Sequence, residues 1–553
     1  MTSVAARPAL FCPIAGVHRD LGVAEDACAG RFTHNGVTLE LGLPPDWRTA
    51  GLADDEEWLI ECSKFLWGLD LAHAYAETGE RRFRDAWALL VDSWIEQVSP
   101  RADATEVAAR RLQNWVFARE TFGGSPRLDE RIADEVAWVR SSLTRARNHR
   151  TLELHGLLVA ALGVPTLDPD GSLAEFALEE LRANLDADFH PDGVHREAST
   201  HYHALVVRSL LSALENARRF GLEFGRRYEE QLARACTFLV HAHRPDGGLP
   251  ALSDADANGH LELLDLAERL LDGFDTVPTA RHASFPDGGY FVQRSGWDDD
   301  ARFLIFDCGP LGEGGHGHYD ALSFEAAADG ARLVVDPGRY TYAEGEPNLR
   351  RWFKGTAAHN TVTVDGVDQT PYARGKPKGA VAKARAGART TRPGLDVLRG
   401  EVRSPAYDAL HTRTVLFVDD AYWIVEDRLE AGTGHHYDLR FHLAPGSVCI
   451  NSVHADGARV TTPALALEIA GADAIAIETG WVSRSYGIRE RAPVVSATHD
   501  GCQARFVTLL APARTQVALR AVDPGRVVVE TPRGHDVVSW TDGDAALRQE
   551  ARR

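Results

Sequence analysis

The sequence predicts a multidomain α+β protein in which an incomplete N-terminal α/α toroid is followed by a large antiparallel β-sandwich, with room for a small C-terminal β-sheet. Three observations lead there. The 553 residues exceed what one hydrophobic core serves, so about two to four domains are expected. Apolar residues recur at helical spacing from about residue 55 to 243, and after Pro286 the period becomes two. The later runs are strand-like and are separated by Asp-Gly, Asp-Asp and Pro-Gly turns.

Residues 1–53 have Gly, Pro and Asp breaks and no sustained period, so an irregular N-terminal segment is expected there. Residues 54–279 are the expected toroid. The stretch EEWLIECSKFLWGLDLAHAYAETG places Trp58, Cys62, Leu66, Leu69 and Ala72 at helical spacing, and RRFRDAWALLVDSWIEQV repeats the theme. About eight helices of similar length with short connections and no intervening strand suggest stacked αα-hairpins, for which, without a strict repeat, a closed or nearly closed toroid is as natural as an open solenoid. The stretch from Pro245 to Ser284 is of mixed character and reads as the join. Residues 280–553 are the expected β-sandwich domain, in runs such as GGYFVQRSGW, RTVLFVDDAYWIVEDRLEA and GRVVVETPRGHDVVSW.

Composition narrows the function. At 44% apolar and 25% charged residues, the chain has the make-up of an ordinary soluble protein. No apolar run approaches the ~18 to 20 residues of a membrane span. The opening MTSVAARPALFCPIAGVHRD lacks a continuous apolar signal region. A cytoplasmic protein without a membrane partner is expected. Seven scattered cysteines with no CxxC pair argue against a disulfide framework or a thiolate metal site. A formal charge of -20 argues against nucleic acid as a partner. Two local segments run the other way: Arg140–Arg150 holds four arginines and no acid, and Arg350–Arg392 holds ten Lys or Arg against Asp365 and Asp368. Such a chain could bind a small anionic ligand while repelling bulk polyanions.

The chemistry concentrates in GGHGHYDALSFEAAADGARLVVDPGRY, Gly314–Tyr340. It reads as a β-hairpin turning at Asp329-Gly330, with His318 and Asp336 at its open end. GTAAHNTVTVDG adds His359. His and Asp without cysteine suit Zn²⁺ or a similar divalent ion. His316, two residues from His318, could share its strand face or, in a glycine-rich loop, face a cleft. Two further clusters lie in the helical part. Asn148-His149 falls at an apparent break between helices, and His201-Tyr202-His203 opens a helix, where a phenol near a cation could act as acid or base. There is no G-x-S-x-G elbow, P-loop, H-E-x-x-H or dinucleotide fingerprint, so no organic cofactor is expected.

With RNH, THYH, GGHGHYDALSFE, VVDPGRYTY and AAHNTVTVDG in that order, the chain resembles the heparinase II/III-like polysaccharide lyases over roughly residues 55 to 540. The resemblance implies β-elimination on an anionic, uronate-containing oligosaccharide: the C5 proton is removed, the C4 oxygen is expelled and an unsaturated uronate remains. It implies that Asn148 and His149 neutralise the uronate carboxylate. Tyr202 would be the acid, and for one substrate stereochemistry also the base, with His316 as the alternative base. His318, Asp336 and His359 match a structural metal site, most simply zinc. Arg147, His201, His203 and Arg351 are the expected substrate contacts, and a homodimer is left open. A uronyl C5-epimerase using the same carbanion, and a non-catalytic glycan-binding protein on the same fold, are the competing readings.

Overall fold

The structure, a computed structural model, describes residues 7–52, 55–454, 457–541 and 543–551. Its contacts divide the chain into two compact units that interleave along the sequence. One comprises Met1–Phe189, Ala204–Cys236 and Glu262–Phe274; the other comprises His190–His203, Thr237–Leu261 and Asp275–Arg553. The expected division was instead a single passage from toroid to sandwich near residue 279. Tyr202, expected with the toroid, therefore groups with the β unit.

The helical unit is an incomplete α/α toroid. Its regular helices begin with Trp67–Thr78, Arg81–Gln97, Thr105–Phe122 and Pro126–Ser141, and continue through Arg147–Gly163 and Ser172–Asp188. Local chemistry sets their ends. Ser125 caps Pro126–Ser141 by accepting from Leu128 N, with Pro126 in the first turn, and Gly79 closes Trp67–Thr78 in the left-handed conformation. Thr105–Phe122 and Arg147–Gly163 are the central pair, and glycine sets how closely they approach. A Cβ on Gly156 would lie 2.8 Å from the Ala109 carbonyl oxygen. Phe65 packs against Trp94 and against Trp115 of Thr105–Phe122, beside the same helix's buried Arg111, which pairs with Glu135.

Residues 7–52 hold more regular structure than expected. Leu21–Cys28 is a helix whose N-cap, Asp20, accepts from Gly22 N and Val23 N. Arg31–His34 and Val37–Glu40 form a hairpin across Asn35-Gly36, both with positive φ, the turn chemistry that type I′ hairpins require. These elements are too short for a sustained period to reveal them. The junction expected at 53/54 lies outside the described residues.

The β unit is built from three larger antiparallel sheets. A five-stranded sheet runs Ala283–Phe285, Tyr290–Arg294, Phe303–Asp307, Phe324–Ala328 and Ala331–Val334 in sequence order. An eleven-stranded sheet is centred on two long strands, Tyr422–His442 and Ile488–Pro512, which pair with each other. Phe291, Leu304, Phe306 and Phe324 of the first sheet share a core with Phe417, Trp423, Leu439, Phe441 and Phe506 of the second, which makes the sandwich. A four-stranded sheet, Ala518–Asp523 to Ala545–Ala551, covers another face of the large sheet through Val527, Val529, Val538 and Trp540. Burial alternates residue by residue along Gly534–Trp540, as a strand with one buried face requires. Among the described residues no helix is long and apolar enough to cross a membrane, and all seven cysteines are free.

Candidate active site and metal centre

Phe324–Ala328 and Ala331–Val334 form the hairpin expected from the sequence, with Asp329 and Gly330 both at positive φ. The residues before it, from Pro310 to Asp320, are loop rather than strand. His316 and His318 consequently do not share a strand face; each reaches a different oxygen of the same carboxylate, Asp254. Gly317 separates them at a point where a Cβ would stand 1.5 Å from the Leu311 carbonyl oxygen. Lys354 Nζ donates to Gly315 O at 2.7 Å and pins the approach.

His316 meets Tyr202. The rings stack with centroids 3.8 Å apart at 29°. Tyr202 sits in the first turn of Thr200–Arg219, where its N–H donates to Ser199 Oγ at 3.3 Å, and Thr200 Oγ1 donates to Pro250 O at 2.6 Å. The Tyr202 hydroxyl lies 2.8 Å from that of Tyr342, and Arg339 Nη1 donates to Tyr342 Oη at 3.0 Å. Burial pushes the Tyr202 phenol above its ordinary pKa, while the Arg339 charge and the Tyr342 hydrogen bond oppose that rise. Arg339 is itself held by both oxygens of Asp256, at 2.9 and 2.7 Å.

Beneath His316 lies Asp254, a fully buried carboxylate. It accepts from His316 Nδ1 at 3.0 Å, from His318 Nε2 at 2.9 Å and from both Arg350 guanidinium nitrogens, Nη2 at 2.7 Å. Burial would raise its pKa, but the Arg350 charge and the two imidazole bonds hold it well below the carboxylate range. Asp254 thus stays charged.

The other side of His318 defines a second centre. His318 Nδ1, Asp320 Oδ2 and His359 Nε2 are buried without a hydrogen-bond partner. The three residues offer ligand atoms that lie within 4.8 Å of one another. Leaving such groups unpaired costs about 1–3 kcal/mol each. An ion coordinated by them removes that cost, and two imidazoles with a carboxylate are a donor set for a divalent metal. Asp336 stands behind the group rather than in it. Its Oδ2 accepts from His359 Nδ1 at 2.8 Å, which turns Nε2 toward the other two residues. Burial lowers His318 to about 3 and raises Asp320 to about 6. Burial also disfavours a charged His359, but Asp336 more than offsets this and the net shift is upward.

Three of the expected substrate contacts, His201, His203 and Arg351, also fall in the β unit. His201 is partly exposed, with Nδ1 4.0 Å from Asp256 Oδ2, and Arg351 is exposed with its guanidinium over the Tyr372 ring. His203 corrects the expectation. It is buried, its Nδ1 accepts from His195 N at 3.2 Å, and its ring packs on Phe238, so it braces the helix start.

In the helical unit, Arg147, Asn148 and His149 form the first turn of Arg147–Gly163. Arg147 has a left-handed φ of 77° and is tied to Asp188 through its N–H at 2.7 Å and Nη1 at 2.6 Å. A non-glycine residue held there is strained, which is a common property of functional turns. Asn148 is buried, whereas His149 is exposed with Nδ1 3.8 Å from Glu106 Oε2. Asp254, Asp320, Arg339 and Tyr342 were not foreseen. Asp320 lies two residues after His318 in HGHYD, and Arg339 and Tyr342 lie within VVDPGRYTY, so only Asp254 lacked a local signal.

A toroid, a β-sandwich and a paired phenol and imidazole define a polysaccharide lyase, a carbon–oxygen lyase. The chain belongs to the heparinase II/III-like family: residues 22–276 match the heparinase II/III N-terminus and residues 277–541 the heparinase II/III-like C-terminal region. It is 24% identical over 549 residues to a heparin-sulfate lyase of Bacteroides stercoris, covering 87% of this chain and 80% of that one. It is also 24% identical over 471 residues to a heparin-sulfate lyase of Pedobacter heparinus, covering 77% and 69%. Among solved structures, one of heparinase III superposes with a TM-score of 0.80 at 16% identity, covering 98% of this chain and 93% of the other. A further heparinase III gene product gives 0.69 at 20%, covering 96% and 90%.

Proposed function

We propose that the protein cleaves a uronate-containing glycosaminoglycan oligosaccharide by β-elimination. The stacking of Tyr202 on His316 carries the reading, since it sets two proton-transfer groups side by side. His316 is 17% exposed in its side chain, enough to meet a substrate proton. In this scheme His316 or Tyr202 takes the C5 proton, and the electron pair delocalises into the uronate carboxylate. It then forms the C4=C5 double bond as the C4–O bond breaks, and the Tyr202 phenol protonates the leaving oxygen. Tyr342, backed by Arg339, hydrogen-bonds the phenol and favours its ionised form while the proton is away. Asn148 and His149 neutralise the carboxylate, a contribution worth roughly 10²- to 10³-fold per donor. Arg147, His201 and Arg351 hold the flanking anionic groups. The likeness to heparin-sulfate lyases supports a sulfated uronate chain as the substrate class.

His318, Asp320 and His359 would hold a divalent ion, with zinc as the first choice for this donor set. The ion would clamp the His316 loop to the segment bearing His359. Incubation with heparan, chondroitin, hyaluronan and alginate oligosaccharides tests the reaction. Ultraviolet absorbance of an unsaturated uronate is expected with at least one of them. Solvent deuterium at C5 of an intact chain would instead identify an epimerase, and no change with any substrate would leave a binding protein.

A further inference from the structure

Asp254 lies in the mixed stretch between the regular helices and the first strand of the sandwich, 62 residues before His316 in sequence. Its neighbours hold it from several directions. Ser199 Oγ donates to its carbonyl at 2.8 Å, and its own N–H donates to His316 O at 3.1 Å. Its side chain has two oxygens and four incoming donors, two from Arg350 and one from each imidazole. An ionised carboxylate accepts only. Each imidazole nitrogen facing it must therefore carry hydrogen, and in a neutral imidazole the opposite nitrogen is then the bare one.

The two histidines present opposite nitrogens to this single group. His316 presents Nδ1 to Oδ2, and His318 presents Nε2 to Oδ1. We infer that Asp254 is a positioning residue that sets both tautomers at once: His316 carries hydrogen on Nδ1 and turns a bare Nε2 to the side on which the buried Glu197 Oε2 lies 4.0 Å away, while His318 carries hydrogen on Nε2 and turns a bare Nδ1 toward Asp320 and His359. The inference rests, for the role of His316 as base, on the lyase reading above; the tautomer assignment itself does not. Arg350 supplies the remaining condition. Its two-pronged contact orients the carboxylate so that one oxygen faces each ring, and its guanidinium lies over the Tyr342 ring, 4.8 Å from the centroid. One carboxylate thereby registers the candidate base with the candidate metal ligand and, through Arg350, with the hydroxyl partner of Tyr202.

An amide cannot replace this group. Asparagine offers one accepting oxygen and one donating NH₂, so one imidazole would face a donor and would have to turn its bare nitrogen inward. Long-range ¹H–¹⁵N correlation spectra of the full-length protein labelled at histidine nitrogens report the tautomers directly, with His316→Gln and His318→Gln supplying the assignments. The wild-type spectrum is expected to show Nδ1–H for neutral His316 and Nε2–H for neutral His318. Asp254→Asn is expected to invert at least one of the two, and to lower kcat about 10- to 100-fold with KM nearly unchanged. Opposite or mixed tautomers in the wild type would overturn the inference, and that measurement does not depend on any variant folding. Unaltered tautomers in a folded Asp254→Asn would overturn it as well. Predicted tautomers in a protein that yields no unsaturated product would sink the lyase reading and leave the assignment of Asp254 standing.

Discussion

Two histidine–carboxylate clusters of the β unit invite comparison. One is the buried group of His318, Asp320, His359 and Asp336; the other, beside an irregularity in the pairing of the two long strands, joins His435 to Asp365 and Asp408, and His436 to Asp500. The residue types are the same. In the buried cluster each imidazole commits one nitrogen to a carboxylate and has the other unpaired. In the exposed one His435 commits both, Nδ1 to Asp365 at 2.7 Å and Nε2 to Asp408 at 2.5 Å, and the two carboxylates are about half exposed. Ligand capacity therefore follows from unfilled lone pairs shielded from water, and composition alone does not supply it.

The comparison breaks most readily at the residues joined to the buried cluster. His316→Ala and Tyr202→Phe are each expected to lower kcat/KM by about 10²- to 10⁴-fold with unchanged circular dichroism. His435→Ala should turn over like the wild type. Near-normal rates in both of the first two variants would remove the proposed chemistry.

The metal reading supplies the next contrast. His359→Ala should abolish stoichiometric zinc binding measured by elemental analysis and lower the melting temperature, whereas His436→Ala should change neither. Asp336→Asn, which disturbs only the support behind His359, is expected to weaken zinc roughly 10- to 100-fold. A wild-type protein that takes up no divalent ion would reduce the buried cluster to a polar core.

The smallest effect belongs to the exposed cluster and has a definite sign. Hydrogen bonds to Asp365 and Asp408 raise the His435 pKa above its ordinary value. A raised folded value means the stabilisation is fully present below about pH 6.5, the unfolded value, and is lost as pH rises through the folded one. His435→Gln should therefore destabilise the protein at acidic pH by no more than about 1 kcal/mol. The difference should fade toward alkaline pH and in high salt. Urea unfolding midpoints at acidic and alkaline pH check it; a larger loss at alkaline pH would contradict the assignment.

Legibility in sequence followed the range of the interaction. The Asp329-Gly330 turn and the alternation along Gly534–Trp540 are written within a few residues, and they fold as read. Asn35-Gly36 is an equally explicit turn, but strands of four residues were too brief to register as a period. His203 sits beside Tyr202 in THYH, and only the direction each takes from the helix separates a buried brace from a phenol stacked on His316. Asp254 was beyond reach. Its partners lie 62 to 96 residues away, and nothing in LPALSDADANGH distinguishes it from Asp256 until the chain has folded.

Gly317 carries a consequence for anyone remaking this enzyme. Because any side chain there would collide with the Leu311 carbonyl, random libraries spanning the GHGH loop should recover glycine at this position almost without exception. The imidazole on either side of it cannot be reoriented by substituting their shared neighbour. New substrate preferences would have to be sought at exposed positions such as Arg351, where a side chain can be exchanged without disturbing the loop that carries His316 and His318.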